Sequence, residues 1–265
     1  MLRIYRRFWQ VNWAEQWQYR ANMIMYLLYW LVSPVVYLAV WSAVASERGS
    51  VGGLTANDFI TYYLVLLLVD TLTSDITIYL LAFRIQDGTL SGELLRPVHP
   101  ILTNILMNNL AFKALTFAVL VPIWIGLCLA FRPDFSGVTA GTLLLAVPAI
   151  ALGFAIAFLL GATITCIAFW TTRVYALNEF YSGLILLFSG QFVPLELMPG
   201  PIQQVVLYLP FQLMKYGPVQ LILGRLTPEE IARNTALSLF WLAVAALLFR
   251  WVWRNGTRRF SAVGA

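Results

Sequence analysis

The sequence predicts an all-α membrane protein: six transmembrane helices, an N-terminal interfacial helix, and an extracellular re-entrant helical hairpin before the last span. Three observations carry this. Of the 265 residues 60% belong to the set AVILMFWYC and only 11% are charged, where soluble domains carry about 25% charged residues. About six runs reach the ~20 apolar residues a spanning helix needs, near residues 22–45, 58–83, 103–131, 139–170, 176–194 and 229–253. Between the last two, residues 191–227 break into apolar pieces too short to cross, each bounded by Pro and Gly.

So few charges cannot cover a globule of this size without large apolar patches facing water. An ordinary soluble enzyme, a disordered chain and a nucleic-acid-binding domain are thereby excluded. Ten Trp, 12 Tyr and 17 Phe supply aromatic belts at the bilayer surfaces. The net charge of +5 reads as a topology signal, not as a polyanion partner.

In the first twenty residues, Leu2, Ile4, Tyr5, Phe8, Trp9, Val11, Trp13 and Trp17 alternate with Arg3, Arg6, Arg7, Gln10, Glu15 and Gln18. Aromatic residues on one side and arginines on the other suit a helix lying in the interface plane. The first span follows Arg6 and Arg7 and contains Ala43-Val44-Ala45, which resembles a signal-peptide cleavage site. Its apolar region exceeds the 7–15 residues of a signal h-region, so it is expected to stay in the mature protein.

Charged residues inside spans are costly and often functional. Asp70 and Asp75 fall in the second span and Lys113 in the third. At 1.5 Å per residue Asp75 and Lys113 each lie roughly 14 Å in from the same face, which predicts an ion pair between neighbouring helices; a proton relay through Asp70 or Asp75, as in an ion-coupled carrier, is the other reading. In the fourth span Ala149, Gly153, Ala157 and Gly161 recur every four residues, a small-residue stripe that lets helices pack closely. Cys128 and Cys166 lie inside apolar runs near opposite faces, too far apart for the ~5.5 Å Cα spacing of a disulfide. His99 has no ligand-spaced partner, so no metal site is expected.

The external segment opens with Phe192-Val193-Pro194-Leu195-Glu196-Leu197-Met198-Pro199-Gly200-Pro201. It turns apolar over residues 205–213, breaks at Lys215-Tyr216-Gly217-Pro218, and is apolar again over 219–223. A compact external loop is the alternative to a re-entrant hairpin. Arg3, Arg6, Arg7, Arg20, Arg84, Arg96, Arg173, Arg250, Arg254, Arg258 and Arg259 fall on one face; Arg48, Arg132, Lys215, Arg225 and Arg233 fall on the other. The excess places both termini in the cytoplasm, consistent with an even number of spans.

No phosphate loop of the form G-x-x-x-x-G-K-[ST], no G-x-S-x-G elbow and no H-E-x-x-H occurs, so nucleotide binding or hydrolysis by those routes is absent from this chain. The informative stretch joins the second and third spans: Phe83-Arg84-Ile85-Gln86-Asp87-Gly88-Thr89-Leu90-Ser91-Gly92-Glu93-Leu94-Leu95-Arg96-Pro97-Val98-His99-Pro100. Gly88 should break the incoming helix, and Ser91 is placed to cap a short helical turn through Leu95. Pro97 and Pro100 stop that turn. Such a short, partly apolar helix can dock in a partner's groove; a tight connector is the other reading.

The residues from Ile85 through Gly88, Leu90, Leu94, Leu95, Arg96 and Pro97 to Pro100 follow the pattern I-x-x-G-x-L-x-x-x-L-L-R-P-x-x-P. Together with the interfacial helix, the six spans and the hairpin, they resemble ABC type-2 exporter permeases. The tail Arg259-Phe260-Ser261-Ala262-Val263-Gly264-Ala265 is similar to that of a subgroup of small permeases of this type. The resemblance implies that residues 1–265 form one transmembrane permease domain, with residues 84–101 as a cytoplasmic coupling loop. The chain would move an amphipathic or hydrophobic substrate across a bacterial cell membrane. It implies two cytoplasmic ATPase subunits, which would bind ATP and Mg, and a second permease subunit, identical or paralogous; no cofactor and no catalytic residue is expected in this chain. Gly88, Leu90, Glu93, Leu94, Leu95, Arg96 and Pro97 would couple to the ATPase, with Glu93 and Arg96 as charged contacts and Leu94 and Leu95 as the apolar surface. Thr71, Thr73, Ser74, Asn178, Tyr181 and Gln191 would line the substrate path. An ion-coupled secondary transporter would show inverted repeats, of which no convincing pair is visible; a membrane scaffold protein is the third reading.

Overall fold

The computed structural model describes residues 2–260, with side chains from residue 5 onward. The tail over 261–265 and the side chains of Leu2, Arg3 and Ile4 lie outside the described residues. Within them the chain is helical and no strand forms.

Helix α1 (Leu2–Gln18) and α2 (Arg20–Arg48) meet at Tyr19. Tyr5, Phe8, Trp9, Asn12, Trp13 and Gln16 face inward at helical spacing, while Arg6, Arg7, Gln10 and Val11 face out. The inward stripe is fixed to a later helix by polar contacts: Asn108 donates to Asn12 at 3.2 Å and accepts from Gln16 at 3.2 Å.

Helix α3 (Ala56–Thr73) starts at a reciprocal cap in which Asp58 and Thr55 satisfy each other's backbone N–H. It stops at Ser74, and the span resumes as a π-helical turn (Ile78–Ala82) and α4 (Phe83–Gln86). After α5 (Leu90–Leu94), a second π-helical turn (Ile101–Ile105) leads into α6 (Leu106–Phe131). Helix α7 (Ala140–Thr165) ends in a 3₁₀ turn (Cys166–Phe169) and is followed by α8 (Val174–Phe188). A 3₁₀ turn (Leu195–Leu197), α9 (Gly200–Val206), α10 (Pro210–Met214) and α11 (Tyr216–Ile222) precede α12 (Pro228–Arg259).

Among the described residues five helices are long and apolar enough to cross a membrane: Arg20–Arg48, Ala56–Gln86, Ile101–Phe131, Ala140–Phe169 and Pro228–Arg259. The run expected at 176–194 is instead the 15-residue α8, about 22 Å long against the ~30 Å of a hydrocarbon core. It ends early because Ser189 and Gly190 turn the chain, with Gly190 at φ +80.

Two apolar clusters mark the ends of the bundle. One joins Leu38 and Ala45 of α2 to Phe59, Tyr62, Tyr63 and Val69 of α3 and to Leu195, Val206 and Val219. The other joins Ile78, Leu81 and Ile85 to Leu90, Ile101, Val174 and Trp253. Cys128 packs on the first and Cys166 belongs to the second; both are free thiols, held apart as expected.

Residues 189–227 are pinned to α3. Tyr62 donates its hydroxyl to the Gly190 carbonyl at 2.7 Å, while Tyr63 and Trp41 donate to the Phe192 carbonyl at 2.9 and 3.0 Å. A Cβ on Gly190 would lie 2.6 Å from the Tyr62 hydroxyl, so glycine is required there on both space and φ. Arg225 pairs with Asp58 at 2.5 Å, and Gln220 donates to Glu196. Tyr62→Phe should cost about 1–3 kcal/mol by leaving the buried Gly190 carbonyl without a donor, read as a lowered unfolding midpoint in lipid nanodiscs. The small-residue stripe packs inside the chain: Gly153 lies against the backbone of Leu213 and Met214, and Gly161 against Asp75.

Candidate functional site

The interruption of the second span is encoded locally. Thr71, Thr73 and Ser74 turn their hydroxyls onto the carbonyls of Leu67, Val69 and Thr71. Asp75 accepts from both the N–H and the hydroxyl of Thr77, at 3.1 and 2.5 Å. Side chains that bond their own backbone this way compete with the helix ladder. Backbone released at membrane depth needs partners from neighbouring helices, and α6 provides them. Asn109 accepts from the Ile76 N–H at 3.1 Å, and Lys113 donates to the Ser74 carbonyl.

That arrangement corrects the predicted pairing of Asp75 with Lys113. The two do not form an ion pair; Lys113 takes the Ser74 carbonyl and lies 4.7 Å from the Phe154 ring centroid. The prediction assumed an unbroken helix, and the break frees a carbonyl that captures the ammonium first. The ion pair that does form at this depth joins Asp70 to Lys215 at 2.5 Å, with Lys215 also donating to Gln191 at 2.6 Å. Lys215 was expected on an external loop; it is 7% exposed. A signal was present in composition: the chain has only two lysines, Lys113 and Lys215, and both are buried, whereas the arginines cluster near helix ends.

The break opens onto a cavity of ≈ 220 Å³. Five of the six residues predicted to line a substrate path meet there: Thr73, Ser74, Asn178, Tyr181 and Gln191. Thr71 does not; it faces a separate small recess beside Asp70. Asp75 and Lys215 complete the polar wall, and Trp30, Tyr79 and Ile185 the apolar one. Among the described residues no group of three or more His, Cys, Asp or Glu is placed to hold a metal ion.

The loop after the second span is built on Gly88, whose φ of +81 ends the incoming helix. Asp87 then accepts from Thr89 N–H at 3.1 Å and from its hydroxyl at 2.8 Å. Helix α5 therefore starts at Leu90 with Thr89 in the cap position, and not after Ser91 as predicted; Ser91 donates to the Gly88 carbonyl at 2.8 Å instead. The seven predicted coupling residues divide sharply. Gly88 and Leu90 are buried, Leu90 at 0% exposure in the cluster with Ile85, Val174 and Trp253. Glu93 turns inward to Arg84 at 2.9 Å rather than outward beside Arg96, because Arg84 lies one loop's width away on α4. Leu94 and Leu95 are 36% and 89% exposed, and Arg96 and Pro97 are exposed beside them. The base of the loop is fixed by Gln86 donating to the Thr172 carbonyl at 3.3 Å, and by His99 packing on Trp253. The His99 Nδ1 accepts the Ile101 N–H at 3.3 Å.

Long apolar helices around a polar cavity define a multi-pass membrane protein. The comparison with known families agrees: the model described as ABC-2 family transporter protein matches residues 31–264. The chain therefore belongs to the ABC-2 family of transporter proteins. This membership makes it the permease part of an ABC transporter, not itself the ATPase, and implies association with ATPase subunits. No curated protein matches the chain.

Proposed function

We propose that the chain is one permease subunit of an ATP-driven exporter in a bacterial cell membrane. In this reading α8 and the turn that follows it make a short sixth span, residues 191–227 form the extracellular re-entrant segment, α1 lies in the cytoplasmic interface, and both termini face the cytoplasm. Two ATPase subunits hold ATP and Mg and dock on the loop between Gly88 and Pro97. A second permease subunit, identical or paralogous, completes the pathway for an amphipathic or hydrophobic substrate.

The division within the loop carries this reading. One leucine, Leu90, is sunk in the core while Leu95 stands 89% exposed beside Leu94, Arg96 and Pro97. A connector needing no partner gains nothing from an apolar side chain held out on a rigid base, whereas a docking helix presents one. Arg96 remains available as a charged contact, and the Arg84–Glu93 pair serves to brace the loop. The test is permease-stimulated ATP hydrolysis by the reconstituted complex with its ATPase. Leu95→Asp should reduce that stimulation at least about tenfold, as expected for a charge placed in a desolvated interface centre. Full stimulation by the variant would sink the docking role.

A further inference from the structure

The cavity at the break is asymmetric in charge. Two charged side chains line it, Asp75 and Lys215. Lys215 is already engaged, by Asp70 at 2.5 Å and Gln191 at 2.6 Å. Asp75 makes no ion pair among the described residues; one carboxylate oxygen takes the two donors of Thr77 and the other lies against Gly161. Lys113, the remaining cation at this depth, is held on the Ser74 carbonyl and does not line the cavity. Facing Asp75 is Tyr181, 9% exposed, whose buried hydroxyl has no hydrogen-bond partner. Burying a hydroxyl without a partner costs free energy that a ligand could recover.

Beside this cavity runs a groove of ≈ 630 Å³ lined by Met25, Tyr26, Tyr29, Trp30, Tyr79 and Phe112. Its walls stand open: Met25 is 70% and Tyr29 74% exposed. Trp30 and Tyr79 line both spaces, so the polar cavity and the aromatic groove adjoin, with these two side chains between them. An occupant that spans them has a small polar head and an apolar tail.

We propose that this composite site binds an amphiphile with a protonated amine head, the ammonium set between Asp75 and Tyr181 and the tail laid along the groove. An anionic head would face the Asp75 carboxylate while the lining cation, Lys215, is occupied by Asp70. Lys113 is the nearby cation but is held on the Ser74 carbonyl outside the lining, so within the cavity a neutral head would offer Asp75 no charge-assisted contact. Trp30, Tyr79 and Tyr181 add ring faces that attract a cation. The proposal rests on the permease reading above and narrows its substrate class.

The test is equilibrium binding of radiolabelled dodecylamine to the chain in nanodiscs, measured over empty nanodiscs, with dodecyl phosphate, dodecanol and butylamine as competitors. Saturable binding is expected, with dodecyl phosphate and dodecanol at least about tenfold weaker. Asp75→Asn should weaken binding by at least about tenfold and Tyr181→Phe by about threefold, with Asp75→Glu retaining it. If Asp75→Asn fails to fold, the head-group competition and Tyr181→Phe decide. Equal competition by dodecyl phosphate, or unchanged binding in Tyr181→Phe and Asp75→Asn, overturns the proposal. Butylamine competing as well as dodecylamine overturns the tail site, the result expected if a second copy of the chain covers the groove. The assay contains no ATPase. Binding without any effect of Leu95→Asp on hydrolysis sinks the docking reading alone; intact coupling without binding sinks this one alone.

Discussion

Asp70→Ala is expected to destabilise the folded chain by about 3–5 kcal/mol, the range seen when one partner of a buried ion pair is removed. Lys215 has a side chain 8% exposed, and Asp70 at 2.5 Å is its only acidic partner among the described residues. Gln191 contributes a neutral oxygen at 2.6 Å, which cannot offset a full charge withdrawn from water. The pair also joins α3 to the junction of α10 and α11, so its loss loosens the seam between the second span and the segment that follows α8. The double variant Asp70→Leu/Lys215→Met should recover most of the loss, since apolar replacement of a whole buried pair is often neutral or stabilising. Denaturant titration in detergent micelles, followed by tryptophan fluorescence, measures all three proteins. A single-variant loss below about 1 kcal/mol would be the value of a solvent-exposed pair and would contradict the burial of Lys215.

Leu90→Ala is expected to cost about 2–5 kcal/mol, the cavity penalty for a fully enclosed leucine, while Leu95→Ala should stay within about 0.5 kcal/mol of the parent. The two residues are five positions, about 1.4 helical turns, apart in the same five-residue helix and its cap. Leu90 contacts the cluster that holds the ends of α4, α7 and α12 together, whereas Leu95 touches solvent over most of its surface. Activity should respond in the opposite order: Leu95 variants that fold normally lose coupling, and Leu90 variants lose it only as far as they unfold. Thermal unfolding of both variants beside their ATPase stimulation separates the two roles, and equal stability losses would show that the loop is not anchored as described.

Much of this was legible from residues alone. The long apolar runs predict the five long helices to within a few residues at most ends, because burial of about twenty apolar side chains leaves little freedom of placement. The loop pattern from Ile85 to Pro100 contains the exposed tip, and of the six polar residues chosen on the family resemblance five line one cavity while Thr71 does not. Pairings were less legible. Hydrophobic periodicity says which face of a helix is apolar, but it assumes the helix continues, and Thr71-Leu72-Thr73-Ser74-Asp75 ends it by side-chain bonds to the backbone. From that point the rotation of every later residue changes, and Lys113 meets a carbonyl where a carboxylate was expected. The partner of Arg84 was hidden for a similar reason: the turn set by Gly88 and Asp87 folds Glu93 back onto α4, and no spacing rule reads through a residue with positive φ.

The interrupted second span divides its two halves between different clusters. Residues before Ser74 are cemented to the segment after α8, and those after Ile76 to the loop at the opposite end. An unbroken rod would carry any displacement of the loop undiminished to the far side of the bundle. A jointed one takes it up at the joint, and here the joint is the wall of the cavity. On the proposed docking role, motion delivered at Leu95 would be taken up as a change of shape where Ser74 and Asp75 stand, while the half of the span before Ser74 stays held in its own cluster.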